Sequence, residues 1–277
     1  MKIQKSTGSI VDYEEEKVLT SILRSGATKA EAEGVVSAIR PIIRDGMTTK
    51  ELYELVRREL AKMSRGHAGR YSLKKAITAL GPTGFPFENY IASILKAYGY
   101  RAHVPAEEIQ GSCVWHEVDV VAEKDGKRFF AEAKFRSDFQ GLVHLKDIMA
   151  SWSRFLDLVD GGVVGTCPHF DEAWIFTNGR FTDRSRAFSK CKGMHLTGWN
   201  YPEGHTFASM VDYKALYPIT VLETIKRQEI EELFKRGILL CRDLVEIEPE
   251  DLANRLSIPT SYAETLIEEA SEVISMK

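Results

Sequence analysis

Asp119, Glu132 and Lys134 are the residues whose types and spacing point to chemistry. Asp119 lies in one apolar run and Glu132-Ala133-Lys134 in another, with Asp125-Gly126 between them as a two-residue hairpin turn signal. If Lys124 pairs with Lys127 across that turn, the register sets Asp119 opposite Glu132 and Glu117 opposite Lys134. Side chains alternate along a strand, so these four groups share one face, with opposed Cβ atoms about 4.5–5.5 Å apart. Two carboxylates held that close repel each other, and a divalent cation such as Mg²⁺ or Mn²⁺, which takes oxygen ligands, offsets the repulsion. Lys134 adds a positive charge suited to orienting a water and steadying a phosphate in transition. A solvated outer hairpin face is the ordinary origin of such a pattern, but here the charges are embedded in Val118, Val120, Val121, Phe129 and Phe130.

The order Asp119, then Glu132-x-Lys134, resembles the PD-(D/E)XK nucleases. Gly111-Ser112-Cys113, the run His116-Glu117-Val118-Asp119-Val120-Val121, and Phe176-Thr177-Asn178-Gly179-Arg180-Phe181-Thr182 resemble the Mrr-type restriction endonucleases among them. Val118 stands where the motif's name has Pro. The resemblance implies a Mg²⁺- or Mn²⁺-dependent DNA endonuclease in which Asp119 and Glu132 hold the metal and Lys134 sits beside the attacking water. It also implies an accessory role for Glu88 on the first helix of the fold. The other reading of Glu88 is a carboxylate favoured by the helix N-terminus.

The elements that must carry these residues are readable on either side of the hairpin. A breaker cluster at residues 81–84 precedes a helix with Pro86 in its first turn, an apolar stripe of Phe87, Ile91, Leu95 and Tyr98, and Gly99 as its cap. After the hairpin the spacing predicts a helix over 140–159, a buried strand over 173–176, a turn at Asn178-Gly179 and a helix over 183–192. Strands and helices mixed in this way predict an α/β layer structure around a mixed sheet.

Upstream, residues 3–5 and 8–11 form a short β pattern around Thr7-Gly8. Helical periodicity follows over 14–23, 29–43, 48–63 and 70–80, the third opening on a Thr48/Glu51 capping box. Ile3-x-Lys5-x-x-Gly8, Tyr13-x-x-x-Lys17-Val18, Thr49-x-x-Leu52-Tyr53 and Arg70-Tyr71-x-Leu73 resemble the ATP-cone, a regulatory domain that binds ATP or dATP without hydrolysing it. The resemblance implies phosphate contacts from Lys5 and Lys17, with Thr49 near the nucleotide. No Gly-x-x-x-x-Gly-Lys-Ser/Thr loop occurs, which excludes a P-loop motor.

Residues 201–218 are rich in turn formers and read as a linker. The short helices beyond it resemble tandem helix-hairpin-helix domains. The second hairpin, Ser257-Ile258-Pro259-Thr260-Ser261, lacks the glycines that expose backbone amides to phosphate, and the segment is acidic. Contact with protein or self-association is the favoured reading there over DNA binding.

The whole is therefore expected to be multidomain α/β: a small, mostly helical ATP-cone over 1–82, a restriction-endonuclease-like core with a mixed sheet over 83–205, and a linker with an all-α bundle over 206–277. The net charge of −3 hides a division, since residues 1–80 carry 15 Lys/Arg against 10 Asp/Glu while residues 206–277 carry 8 against 14. The chain thus has no overall basic footprint for DNA, which favours a homo-oligomer over a lone monomer as the DNA-binding species. No run approaches the roughly 18 apolar residues of a membrane span, and the expected location is the cytoplasm. The four cysteines are scattered, which predicts reduced thiols. A zinc set from Cys167, His169, Cys191 and His195 is disfavoured by its Cys-x-His spacing. The expected function is DNA cutting modulated by ATP or dATP. The rival is a nucleotide-responsive DNA-binding or regulatory protein with a catalytically silent nuclease fold.

Overall fold

The computed structural model describes residues 1–5, 7–81, 85–138 and 141–275. Pro82, Thr83 and Gly84 of the expected breaker cluster lie outside the described residues, as does Gln140 at the expected start of the long helix. The chain is mixed α/β and divides into two compact units, residues 1–75 with 219–277, and residues 76–218. The boundaries expected after residues 82 and 205 therefore fall at 75/76 and 218/219. Among the described residues, no helix is long and apolar enough to cross a membrane.

In the first unit Lys2–Gln4 pairs antiparallel with Ile10–Asp12 and parallel with Met47–Thr48. The helices Glu15–Leu23, Lys29–Ile39 and Thr49–Met63 follow the expected periodicity. The capping box read at Thr48 and Glu51 is present, and a second forms at Thr28 and Glu31. Ile22, Ile39, Val56 and Leu60 are fully buried at their centre. The helix expected over 70–80 is instead two, Arg65–Tyr71 and Leu73–Thr78, parted at Ser72, whose hydroxyl donates back to the carbonyl of Ala68.

The C-terminal helices Arg227–Lys235, Cys241–Val245, Pro249–Leu256 and Thr260–Ser275 belong to this same unit. The last packs on Arg65–Tyr71. Arg70 Nε donates to the carbonyl of Val273 at 2.8 Å, and a Cβ on Gly69 would stand 3.0 Å from Val273 Cγ2. The buried Glu269 accepts from the backbone N–H of Glu223 and Thr224. Part of the surface expected to meet another protein thus meets the chain's own N-terminal helices.

The second unit is built on a five-stranded mixed sheet in the order His195–Thr197, Glu172–Phe176, Lys127–Ala133, Val120–Lys124, Arg101–His103. The first three strands run parallel to one another, and the hairpin and the edge strand Arg101–His103 add antiparallel pairs. One face of the hairpin carries Val121 and Phe130 into a core with Ile148, Phe155 and Leu158 of the long helix Leu145–Val164. The helix Phe85–Ala97 packs beside the hairpin through a fully buried Phe87, Tyr90 and Ile91. Gly99, at φ +84°, turns the chain into Arg101–His103, as its position after the apolar stripe predicts.

Two expectations differ in detail. The long helix spans Leu145–Val164 rather than 140–159, because Leu142–Val143 first pairs with Arg180–Phe181 as a two-residue strand. The supposed linker holds a helix, Phe207–Lys214, whose Phe207, Ala208, Met210 and Val211 are buried.

Candidate functional site

The turn at Asp125-Gly126 fixes the hairpin register as expected, with Lys124 opposite Lys127 and Val120 opposite Ala131. The ladder then ends. Asp119 turns its carboxylate onto the facing strand, and its Oδ2 accepts from the backbone N–H of Ala133 at 2.7 Å. Upstream, Trp115–His116 pairs with Ile109–Gln110 instead of continuing the hairpin. Glu117 therefore does not face Lys134 across a ladder; the N–H of Lys134 donates to the carbonyl of Phe176 at 2.7 Å.

Asp119 and Glu132 are nevertheless brought together. Glu132 is 2% exposed. The carboxyl of Asp119 is pushed up to about 7, first by burial and then by repulsion from Glu132, with the Ala133 hydrogen bond pulling the other way. Glu88 joins the same group, and its carboxyl is raised by burial and then by Glu117 and Glu132. The helix Phe85–Ala97 carries Glu88 in its first turn. Lys134 Nζ forms an ion pair with Glu132.

A second cation reaches Glu132 from an unexpected direction. Arg154, on the helix Leu145–Val164, donates to both Glu132 oxygens at 3.1 and 3.0 Å and to the carbonyl of Glu117 at 3.2 Å. Among the described residues no three His, Cys, Asp or Glu side chains close around one point. The donor set nevertheless suits a hard divalent ion. Asp119, Glu132 and Glu88 would supply oxygen ligands, the repulsion among them is what such an ion offsets, and Arg154 is the group it would displace from Glu132.

The words flanking the carboxylates turn out to be positioning devices. In Thr177-Asn178-Gly179, Thr177 Oγ1 donates to the carbonyl of Lys134 at 2.6 Å. Asn178 accepts from the N–H of Arg136 and donates to its carbonyl, both at 2.7 Å. The backbone just after Glu132-Ala133-Lys134 is thereby clamped to the neighbouring strand. In Gly111-Ser112-Cys113, the N–H of Cys113 donates to Asp157 at 2.8 Å and His116 bonds the same carboxylate at 2.7 Å. A Cβ on Gly111 would collide with that carboxylate. Burial acts to raise the Asp157 carboxyl, but the bonds from His116, Cys113 and Val114 prevail and hold it at about 2. Asp157 lies one helical turn beyond Arg154, so the loop it anchors packs against the helix that delivers Arg154.

The residues expected to contact a nucleotide, Lys5, Lys17 and Thr49, lie in the other unit. The parallel pairing of Ile3 with Met47 and Gln4 with Thr48 ends there, Lys5 entering a turn closed by its N–H to the carbonyl of Ser9 and Thr49 opening the helix Thr49–Met63. Lys5 is exposed, and Lys17 is paired with Glu14 at 2.7 Å. Lys5 and Thr49 thus each follow one of two paired strands. The four cysteines are free thiols. Cys167 Sγ bonds the carbonyl of Leu158, and His195 pairs with Glu172.

A family model described as AF1548-like, C-terminal, matches residues 217–274. A protein of Archaeoglobus fulgidus, described as an uncharacterized protein, is 36% identical over 184 residues, which are 66% of this chain and 99% of the relative. A solved structure titled "Crystal Structure of Protein of Unknown Function AF1548" is similar with a TM-score of 0.59 and 34% identity, covering 70% of this chain and 99% of that one.

Proposed function

We propose that this chain, which belongs to the AF1548-like family, is a metal-dependent DNA endonuclease whose cutting responds to ATP or dATP. The observation that carries this is the buried Glu132 beside a raised Asp119, with Lys134 on the same carboxylate. A fold has no structural need to hold these groups together, and their repulsion costs stability unless a cation joins them. Asp119 and Glu132 would hold Mg²⁺ or Mn²⁺, with Glu88 as a further oxygen ligand. When bound, the ion lowers the pKa of a water and takes up charge developing on the phosphate.

The chain's own residues supply the rest. Lys134 Nζ, paired with Glu132, would set a positive charge beside the attacking water, where it favours the hydroxide and the pentacovalent phosphate. Thr177 and Asn178 hold the backbone that aims it. Arg154, once released from Glu132, is a second cation at the same place, suited to a DNA phosphate. Lys5 and Thr49, with Lys17, would take the nucleotide in the other unit.

One observation favours the rival, a silent nuclease fold that binds DNA or regulates: Arg154 satisfies both oxygens of Glu132 without any metal. Incubation of supercoiled and linear DNA with Mg²⁺ or Mn²⁺, with and without ATP or dATP, separates the two. Wild type is expected to cut and Glu132→Gln to lose at least 100-fold in rate while keeping its fold. Equal rates, or no cutting by wild type with either metal, would remove the nuclease reading.

A further inference from the structure

On the opposite face of the sheet from Glu132, at the edge formed by His195–Thr197, the second unit holds a cavity of about 870 Å³. Its position follows from the register. Trp174 is paired with Ala131, one residue from Glu132, so Trp174 and Glu132 point to opposite faces. The volume lies within the range of sites for small organic ligands.

The wall has a definite chemistry. Tyr98, Tyr100, Trp174 and Tyr213 supply aromatic rings, and Lys124 and Lys190 supply cationic ends. In a chain with more acidic than basic residues, no Asp or Glu lines it among the described residues. The rings are held in place before any ligand arrives. Trp174 stacks on Phe176 at 4.7 Å between centroids, Tyr100 meets Trp174 edge-on at 5.8 Å, and Trp174 Nε1 donates to Thr197 Oγ1 at 2.9 Å. Lys124 Nζ is tied to the carbonyl of Tyr98 at 2.9 Å. Tyr213, by contrast, is 82% exposed at the rim.

A second, independent feature points to a ligand. Ser189 lines this cavity, is 1% exposed, and its hydroxyl has no hydrogen-bond partner. A buried unpaired hydroxyl costs about 1–3 kcal/mol, a cost that a ligand polar group would remove.

We infer that this cavity is a nucleobase-binding site, which takes a planar heteroaromatic ring against its aromatic wall, with a phosphate on Lys190. Stacking accepts any base, an aromatic wall with cations and no carboxylates suits a ring that carries an anion, and Ser189 can donate to or accept from a base edge. The same chemistry is offered by a free nucleotide and by an unpaired base of a nucleic-acid strand. The inference does not rest on the nuclease reading, since it concerns a different face and needs no metal.

The test is calorimetry of the full chain in metal-free buffer with dTMP and with the single-stranded oligonucleotide (dT)8. These pyrimidine probes avoid the adenine nucleotides assigned to the N-terminal unit. Tyr213→Ala and Lys190→Glu alter exposed positions, and their melting curves should match wild type. Expected is saturable binding that each variant weakens about fivefold or more, while Lys5→Ala and Glu132→Gln leave it unchanged. Binding of dTMP alone identifies a free nucleotide as the ligand, and binding of only (dT)8 identifies a strand base. No binding of either probe, equal affinity in the two pocket variants, or loss of binding in Lys5→Ala or Glu132→Gln would overturn the inference. Because cutting is not measured, a failed nuclease assay leaves this result standing, and the reverse holds too.

Discussion

Arg154 and Glu132 meet through two hydrogen bonds of 3.1 and 3.0 Å, one to each carboxylate oxygen, from a helix and a strand that pack face to face. Burying a carboxylate is costly unless it is paired, and Glu132, at 2% exposed, is paired here with Arg154 through oxygens on which a bound metal ion would also draw. The two cations should therefore compete.

Arg154→Ala tests that competition. In the absence of metal the substitution should cost about 1.5–3 kcal/mol, since a charged hydrogen-bonded partner is lost while Lys134 remains on Glu132. Added Mg²⁺ should then stabilise the variant more than wild type, because the ion no longer has to displace the guanidinium. Urea unfolding with and without Mg²⁺ reads both effects. Equal stabilisation of the two proteins would show that arginine and metal do not share Glu132.

Asp119 makes the site sensitive to pH. Its carboxyl is raised from an ordinary 3.8 to about 7 in the folded chain. Between those values the folded state keeps a proton that the unfolded state has released, so metal-free stability from this group falls as pH rises from about 4 to about 7 and is flat beyond. Asp119→Asn should abolish that slope and raise metal-free stability at pH 8. Metal binding needs the ionised carboxylate, so Mg²⁺ affinity in wild type should climb with pH up to about 7, with proton uptake or release measurable by calorimetry in buffers of different ionisation heat. A flat stability profile from pH 4 to 8 in both proteins would contradict the assignment.

Thr177→Val keeps the side-chain shape but deletes the 2.6 Å bond to the carbonyl of Lys134. Thr177 is fully buried, so the unpaired carbonyl should cost about 1–3 kcal/mol. The lysine should also lose its aim. Cutting is then expected to fall by up to about 100-fold in kcat with little change in KM, since misplacement of a catalytic group affects the transition state more than binding. A variant with lower stability and unchanged kcat would reduce Thr177 to a purely structural role.

What could be read in the sequence was whatever local chemistry decides. Asp125-Gly126 admits one tight turn, and that turn set the register as far as Val120 and Ala131. Beyond it, Asp119 bonded the backbone of Ala133 in place of the ladder, a side-chain competition that strand periodicity does not encode. Arg154 left no signal, because it reaches Glu132 only through the rotation of a helix about its axis against the sheet. The helix Phe207–Lys214 did leave one: Thr206 caps it, accepting from the N–H of Ser209 at 3.0 Å, but Pro202 and Gly204 just before it pointed to a turn. The docking of Thr260–Ser275 on Arg65–Tyr71 joins segments almost 200 residues apart in sequence and depends on Gly69 admitting Val273, a close approach visible only in three dimensions.

The last prediction concerns Lys5 and Lys17. Lys5 follows the strand Lys2–Gln4, and Thr49 opens the helix Thr49–Met63 directly after that strand's parallel partner Met47–Thr48, so a phosphate bound at this helix end would draw on the lysine ammonium and the Thr49 hydroxyl. Lys17 would first have to leave Glu14, an exposed pair worth little. A nucleotide that bound equally well to every state of the chain would shift nothing, so a regulatory role requires ATP or dATP to favour one conformation or assembly. Coupling of about 1–3 kcal/mol, typical of such linkage, would change cutting by roughly 5- to 150-fold. Lys5→Ala is expected to weaken nucleotide binding more than Lys17→Ala, because Lys17 is already paired with Glu14. Both should remove the modulation while leaving basal Mg²⁺-dependent cutting in place. Rates measured against ATP and dATP concentration for wild type and both variants, with binding followed by calorimetry, provide the check. Saturable nucleotide binding that left rate, DNA affinity and oligomeric state all unchanged would make the N-terminal unit a passive one.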